Sequence, residues 1–207
     1  MTASATRDIV SAHPSSLAAH PHALDLLLTR HSPWPLTTPA PSAAELQRVF
    51  AAAMCAPDHG QLQPWRFVVI RDAAREQLGA LFVRAAQARD PQEDAERFRR
   101  KALAAPLLIA LVARVQPSRK VPESEQLLAV GAAAMNMLNA LHLLGYGGFW
   151  ATGPNAYDAA VHAGLGLADP ERLLGFLYVG TAQQAAERPP VRPDPAPFVR
   201  EWQGLAA

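Results

Sequence analysis

From Leu127 to Leu144 the chain carries only three strongly polar residues, Asn136, Asn139 and His142. A helix over 123–144 is therefore apolar nearly all round, and such a helix is buried nearly all round. Gly131, Ala132, Ala133 and Ala134 give it a small-residue section that another backbone can approach closely. That places the helix at the centre of the fold or of a dimer. Gly145 stands where a glycine closes a helix. At 207 residues, half of them hydrophobic, the chain can bury a real core around this helix as one domain.

The remaining pattern supplies the other elements. His22 to Arg30 reads as a short helix with Leu24, Leu27 and Leu28 on one face. Pro33, Pro35, Pro39 and Pro41 break the next stretch of chain. Ser42 and Glu45 have capping-box spacing ahead of Leu46, Val49, Phe50, Ala53 and Met54, an amphipathic helix that Pro57 stops. Arg66 to Arg71 is strand-like, its continuous apolar run Phe67, Val68, Val69 and Ile70 suited to a strand covered on both faces, and Asp72 can cap the next helix. Leu107 to Ala113, Gly147 to Thr152 and Leu174 to Gly180 are further strand candidates. A short helix falls near Ala156 to Ala163. Helices set apart from a few strands, without regular βαβ alternation, argue an α+β fold. Residues 1–20 read as a loose extension, 21–187 as the domain, and 188–207 as an extended, proline-rich arm anchored by Phe198 and Trp202.

A formal net charge of +1 gives no electrostatic case for nucleic acid or an anionic membrane. The first 20 residues lack the sustained apolar core of a secretory signal. A single cysteine, Cys55, excludes an intramolecular disulfide, and a cytoplasmic location is expected. Placed within an apolar helix, Cys55 reads as a buried, inert thiol. The basic cluster Arg97, Arg99, Arg100 and Lys101, beside Glu93, Asp94 and Glu96, reads as a solvated helix face. No metal-ligand spacing appears among the histidines.

Three stretches have the residue types for a ligand site. Arg30-His31-Ser32 joins a planar cation, an imidazole and a hydroxyl, suited to phosphate oxygens. The same residues equally suit a helix C-terminus. Asp58-His59-Gly60-Gln61-Leu62-Gln63-Pro64-Trp65 is rich in donors and acceptors that match the edge of a flat heteroaromatic ring, with Trp65 beneath the loop as core. Asp58 and His59 are adjacent and so point in different directions, which disfavours an acid–base pair. Gly147-Gly148 ahead of Phe149-Trp150-Ala151-Thr152 would let a flat ligand approach the backbone.

In this order and spacing the three stretches resemble the nitroreductase family of FMN-dependent oxidoreductases, over about Ala23 to Trp202. The likeness is closest to a small branch whose loop reads Ala-Pro-Asp-His followed by Gln-Pro-Trp, as Ala56 to Trp65 does here. The resemblance implies a mixed, mainly antiparallel sheet surrounded by helices, in an intertwined homodimer with sites at the interface. It implies that Arg30, His31 and Ser32 hold the FMN phosphate and ribityl chain. It implies that Cys55 and His59 reach flavin bound mainly to the other subunit, and that Gln61 touches the ring or ribityl. Trp150, Ala151 and Thr152 would line the cofactor's far side. Ala140, Leu141, His142, Leu143, Leu144 and Gly145 match a stretch given to NADH or NADPH. The implied reaction passes hydride through FMN to a nitroaromatic, quinone or similar small acceptor. Since the flavin carries the chemistry, no residue is assigned as general acid or base. A second reading is a non-catalytic flavin-binding protein that keeps the fold. Trp34, Pro35 and Ala151 stand where relatives carry cations, and Arg192 or Arg200 of the arm could substitute.

Overall fold

The computed structural model describes residues 23–183 and 191–204. The proposed extension 1–20, and the junction between domain and arm at 187–188, lie outside them. The central strand shows how the layers arise. β3 (Leu107–Arg114) is buried along nearly its whole length. Its side chains alternate, with Leu108, Ala110 and Val112 in one core cluster and Leu107, Ile109 and Leu111 in the other. A strand with two apolar faces must be covered twice, and helices cover both sides.

β5 (Glu171–Ala182) runs antiparallel to β3, and β2 (Trp65–Arg71) pairs antiparallel on the far side of β3. The other edge of β5 is shared end to end. β4 (Gly147–Ala151) takes Phe176 to Gly180, and the two-residue β1 (Leu36–Thr37) takes Thr181 and Ala182. All pairings among the described residues are antiparallel. A register shift at Leu111/Val112 bulges β5 beside Gly175, whose φ is +121°. A Cβ there would meet the Ala151 carbonyl at 2.6 Å, so only glycine lets β4 pass this close.

One face of the sheet carries α3 (Ala73–Arg89), α4 (Glu96–Ala102) and α6 (Ala159–Gly164). The other carries α2 (Ala43–Ala53) and α5 (Glu123–Leu143). Ser42 forms the expected capping box with Glu45. The Tyr146 hydroxyl also donates to Glu45, at 3.0 Å, which ties the start of α2 to the end of α5. These bonds, the Ser42 side chain foremost, hold the Glu45 carboxyl below the usual range. The Asn136 amide donates to the Ala52 carbonyl at 3.1 Å, so α2 runs antiparallel to α5.

Three expectations, on β2, Asp72 and α5, need correction. β2 is an edge strand, with only Ile70 fully buried, because nothing pairs with its outer side among the described residues. Asp72 stands at the start of α3 with φ +52° and makes no side-chain cap. α1 (Ala23–Thr29) leaves Leu24, Leu26, Leu27 and Leu28 exposed. α5 is long and apolar enough by length and composition to cross a membrane. Here it packs on the sheet through Ala129, Val130, Ala133, Ala134, Met137, Leu138 and Leu141. It is not buried all round: the opposite face exposes Leu128 (72%), Met135 (40%) and Leu143 (52%). The basic residues of α4 behave as expected. Arg97 pairs with Glu93, Arg99 with Glu96 and Arg100 with Asp94, and Arg97 covers the buried Phe98 ring.

Burial pushes the Tyr178 hydroxyl up to about 12. An unfolded tyrosine ionises near 10. Below about pH 10 both states are neutral and stability is at its full value. Between about pH 10 and 12 only the unfolded chain releases this proton, so stability falls as pH rises, by about 3 kcal/mol at the upper limit. Tyr178→Phe should remove that part of the fall in denaturant titrations at pH 9 to 11.

Candidate functional site

Two groups of candidate residues lie at the two ends of α5. At its C-terminal end, the His142 Nε2–H is shared between the Leu26 carbonyl at 2.9 Å and the Thr29 hydroxyl at 3.0 Å, docking α1. The chain leaves α1 as Arg30-His31-Ser32, with the His31 ring 6.4 Å from that of His142. The Arg30 guanidinium lies 3.5 Å from Ser32 Oγ and has no carboxylate partner among the described residues. Arg192 of the arm donates to the Arg30 carbonyl. A free guanidinium, a hydroxyl and a second cation together have the donor chemistry of a phosphate cradle. Trp34, where a cation was expected, instead packs against Phe149 at 5.0 Å and Tyr178 at 5.1 Å. Apolar packing thus accounts for that departure, and Arg192 brings a cation back to the same segment.

The N-terminal end of α5 holds the second group. His59, in the short turn His59–Gln61, has Nδ1 2.7 Å from Glu125 Oε2. The backbone here is unusual. Gly60, Gln61 and Gln63 have φ of +75°, +53° and +49°. A left-handed non-glycine residue costs about 1–3 kcal/mol, and such residues persist where the surroundings over-determine them. Asp58 accepts from the Gln63 N–H at 2.7 Å, and the Gln116 side chain donates to the Leu62 carbonyl at 2.6 Å. Gln116 in turn exchanges two bonds with Gln126, which is buried and fully partnered. Gln61 is exposed, and Trp65 packs half-buried against the α2/α5 core.

Cys55 follows α2 and is exposed, not buried. The helix ends at Ala53, so the thiol falls beyond the packed face, where it donates to the Ala51 carbonyl.

From Glu125 to His142 the helix rises about 25 Å, at 1.5 Å per residue. Arg30–Ser32 and His59–Gln61 are therefore well-separated groups within one chain. Trp150–Thr152 joins neither by any hydrogen bond, ion pair or ring contact among the described residues. The Trp150 Nε1 donates to the Leu174 carbonyl at the bulge, Ala151 is half-buried in the strand, and Thr152 lines a small cavity with Lys101 and Asn155. Gly147 and Gly148 do not open the backbone to a ligand. A Cβ on Gly147 would meet Leu36 at 2.5 Å, and one on Gly148 would meet Leu138 at 2.7 Å. These glycines admit the protein's own side chains. Of Ala140 to Gly145, only Leu143 and Gly145 are exposed.

The family model for the nitroreductase family matches residues 27–181. The chain belongs to the nitroreductase family. Among curated nitroreductase relatives, “Putative NAD(P)H nitroreductase YdjA” of Escherichia coli K12 is 38% identical over 178 residues, covering 86% of this chain and 97% of that protein. A “Putative NAD(P)H nitroreductase” of Haemophilus influenzae is 36% identical, over 80% of this chain and 91% of its own. A nitroreductase-like family protein from Bacillus cereus has the same fold, with TM-score 0.76 at 20% identity, over 88% of this chain and 96% of its own. A Desulfovibrio desulfuricans structure described as a “putative nitroreductase in complex with FMN” aligns with TM-score 0.62 at 25% identity, over 88% and 98%. Nitroreductases are oxidoreductases, and the α+β expectation holds.

Sequence reasoning missed Glu125, Gln116 and Gln126. A glutamate in the first turn of a helix is ordinary, and nothing local links it to a loop 66 residues earlier. Gln126 carried a signal, as a polar residue on the helix's buried face. Gly148→Val should cost about 1–3 kcal/mol by overpacking, read as a lowered denaturation midpoint. Gly131→Ala, whose Cβ would meet nothing within the chain, should show no such loss from packing inside the chain.

Proposed function

We propose that this nitroreductase-family chain binds FMN and passes hydride from NADH or NADPH to a small acceptor such as a nitroaromatic or quinone. The observation that carries this reading is the placement of two polar half-sites at opposite ends of α5. Their separation of about 25 Å exceeds the reach of one flavin mononucleotide. A second copy packed antiparallel along α5 would bring the His59 end of one helix to the Arg30 end of the other. Leu128, Met135 and Leu143 give the exposed stripe for that contact, with the half-buried Gly131 on the same face, and the exposed leucines of α1, docked at the end of α5, add to it. We therefore infer a homodimer with two composite sites.

In each site Arg30, with Ser32 and Arg192 beside it, would hold the phosphate, and His31 the adjacent ribityl. Cys55, His59 and Gln61 would come from the other copy. Trp150, Ala151 and Thr152 would form the far wall, and the exposed Leu143 and Gly145 of the 140–145 stretch would meet the nicotinamide nucleotide. FMN, when bound, supplies the hydride chemistry; the protein's residues orient it, exclude water and balance its charge. The absence of an assigned acid or base follows from that division of labour.

Purified protein should show a flavin absorption spectrum, or acquire one with added FMN, and NADH or NADPH should bleach it rapidly without oxygen. Arg30→Ala should weaken FMN binding about 10- to 100-fold, as expected for a lost charge-assisted hydrogen bond, with the dimer intact. Unchanged affinity would remove the phosphate role. Co-expressed Arg30→Ala and His59→Ala chains should form heterodimers with one tight FMN site, whereas each homodimer binds weakly at both. No tight site in the mixture would overturn the composite arrangement.

A further inference from the structure

A carboxylate fixes the imidazole of the Cys55–Trp65 loop. His59 Nδ1 is 2.7 Å from Glu125 Oε2. An ionised carboxylate only accepts hydrogen bonds, so Nδ1 carries the hydrogen and the neutral ring keeps its lone pair on Nε2. That Nε2 has no hydrogen-bond partner among the described residues. An exposed ion pair alone means little, since such pairs contribute about 0–1 kcal/mol. This one is distinguished by its setting. The turn that presents His59 contains three left-handed residues within four positions. It is pinned by Asp58 at one end and by Gln116, through the buried Gln126, at the other. Backbone held in such conformations clusters at ligand clamps. The chain thus maintains a strained, anchored turn whose single imidazole has one nitrogen tied and the other free.

We propose that Glu125 is a positioning residue. It holds His59 as the Nδ1–H tautomer, so that Nε2 accepts a hydrogen bond from a hydroxyl or N–H group of the bound flavin nucleotide. The phosphate, which only accepts, is not its partner. The inference rests on the proposed function, in which His59 faces the cofactor.

Nitrogen-15 NMR of the histidine rings in the flavin-free protein tests the first half. His59 should be the Nδ1–H form in the parent. In Glu125→Ala it should shift to Nε2–H, the form an unrestrained histidine side chain prefers. Glu125→Gln should retain Nδ1–H, because the amide carbonyl accepts the same proton. Flavin affinities, measured by fluorescence quenching, test the second half. FMN and riboflavin should both bind Glu125→Ala about five- to tenfold more weakly, the scale of one neutral hydrogen bond. Glu125→Gln should restore both. Lumiflavin, which lacks the ribityl hydroxyls, should show the same loss if the donor is a ring N–H and none if it is a hydroxyl.

Persistence of the Nδ1–H form in Glu125→Ala would overturn the proposal. So would unchanged FMN and riboflavin affinity despite a tautomer switch, or a loss confined to FMN, which would place His59 on the phosphate. Arg30→Ala separates this from the wider reading. If Arg30→Ala binds FMN weakly while Glu125→Ala binds it normally, the positioning role alone falls. If Arg30→Ala binds FMN normally, the phosphate half-site falls.

Discussion

β5 is hydrogen-bonded along both edges, and the rest of the chain takes its place from that. One edge carries β3 over nearly the full length; the other carries β4 and β1 in succession. Sharing an edge end to end brings the segment after Arg30 into the same sheet as the strand after α5. Leu36 and Gly147 are far apart in sequence, yet they pack against each other because β1 and β4 meet there. The bulge at Gly175 completes the arrangement by letting β4 close down on β5. A side chain in place of Gly175 would collide with the Ala151 carbonyl.

α5 does the complementary work on one face of the sheet. Its inward side is core, and its two ends hold different chemistry: a guanidinium–hydroxyl pair at one, a carboxylate-bound imidazole at the other. The helix is thus a spacer that keeps these two groups apart. Its outward side exposes Leu128, Met135 and Leu143, so the hydrophobic run exceeds what a single sheet face needs.

Much of this was legible in the residues. The capping box at Ser42, the stop before Pro57, the four longer strands and the central helix all announce themselves through short-range rules. What local patterns could not supply was which neighbours would arrive. Val68 and Val69 look like interior strand residues, but strand order leaves them at an edge. Gly147 and Gly148 look like a ligand platform, but Leu36, Pro33 and Leu138 fill the space. Cys55 looks buried because its helix is apolar, but it lies past the last packed turn. Asp72 has the right side chain for a cap and the wrong backbone angle to use it. Each depends on long-range pairing or on a dihedral, which hydrophobic periodicity does not encode.

The buried side chain of Gln126 bonds the segment around Gln116, and Gln116 bonds the turn that presents His59. The turn therefore has little freedom of its own; it travels with the interior of α5. A displacement of that helix, from whatever is pressed against its open side, would be carried to the imidazole without any contact at the turn. In this molecule the precision of a surface loop is inherited from an amide inside the protein.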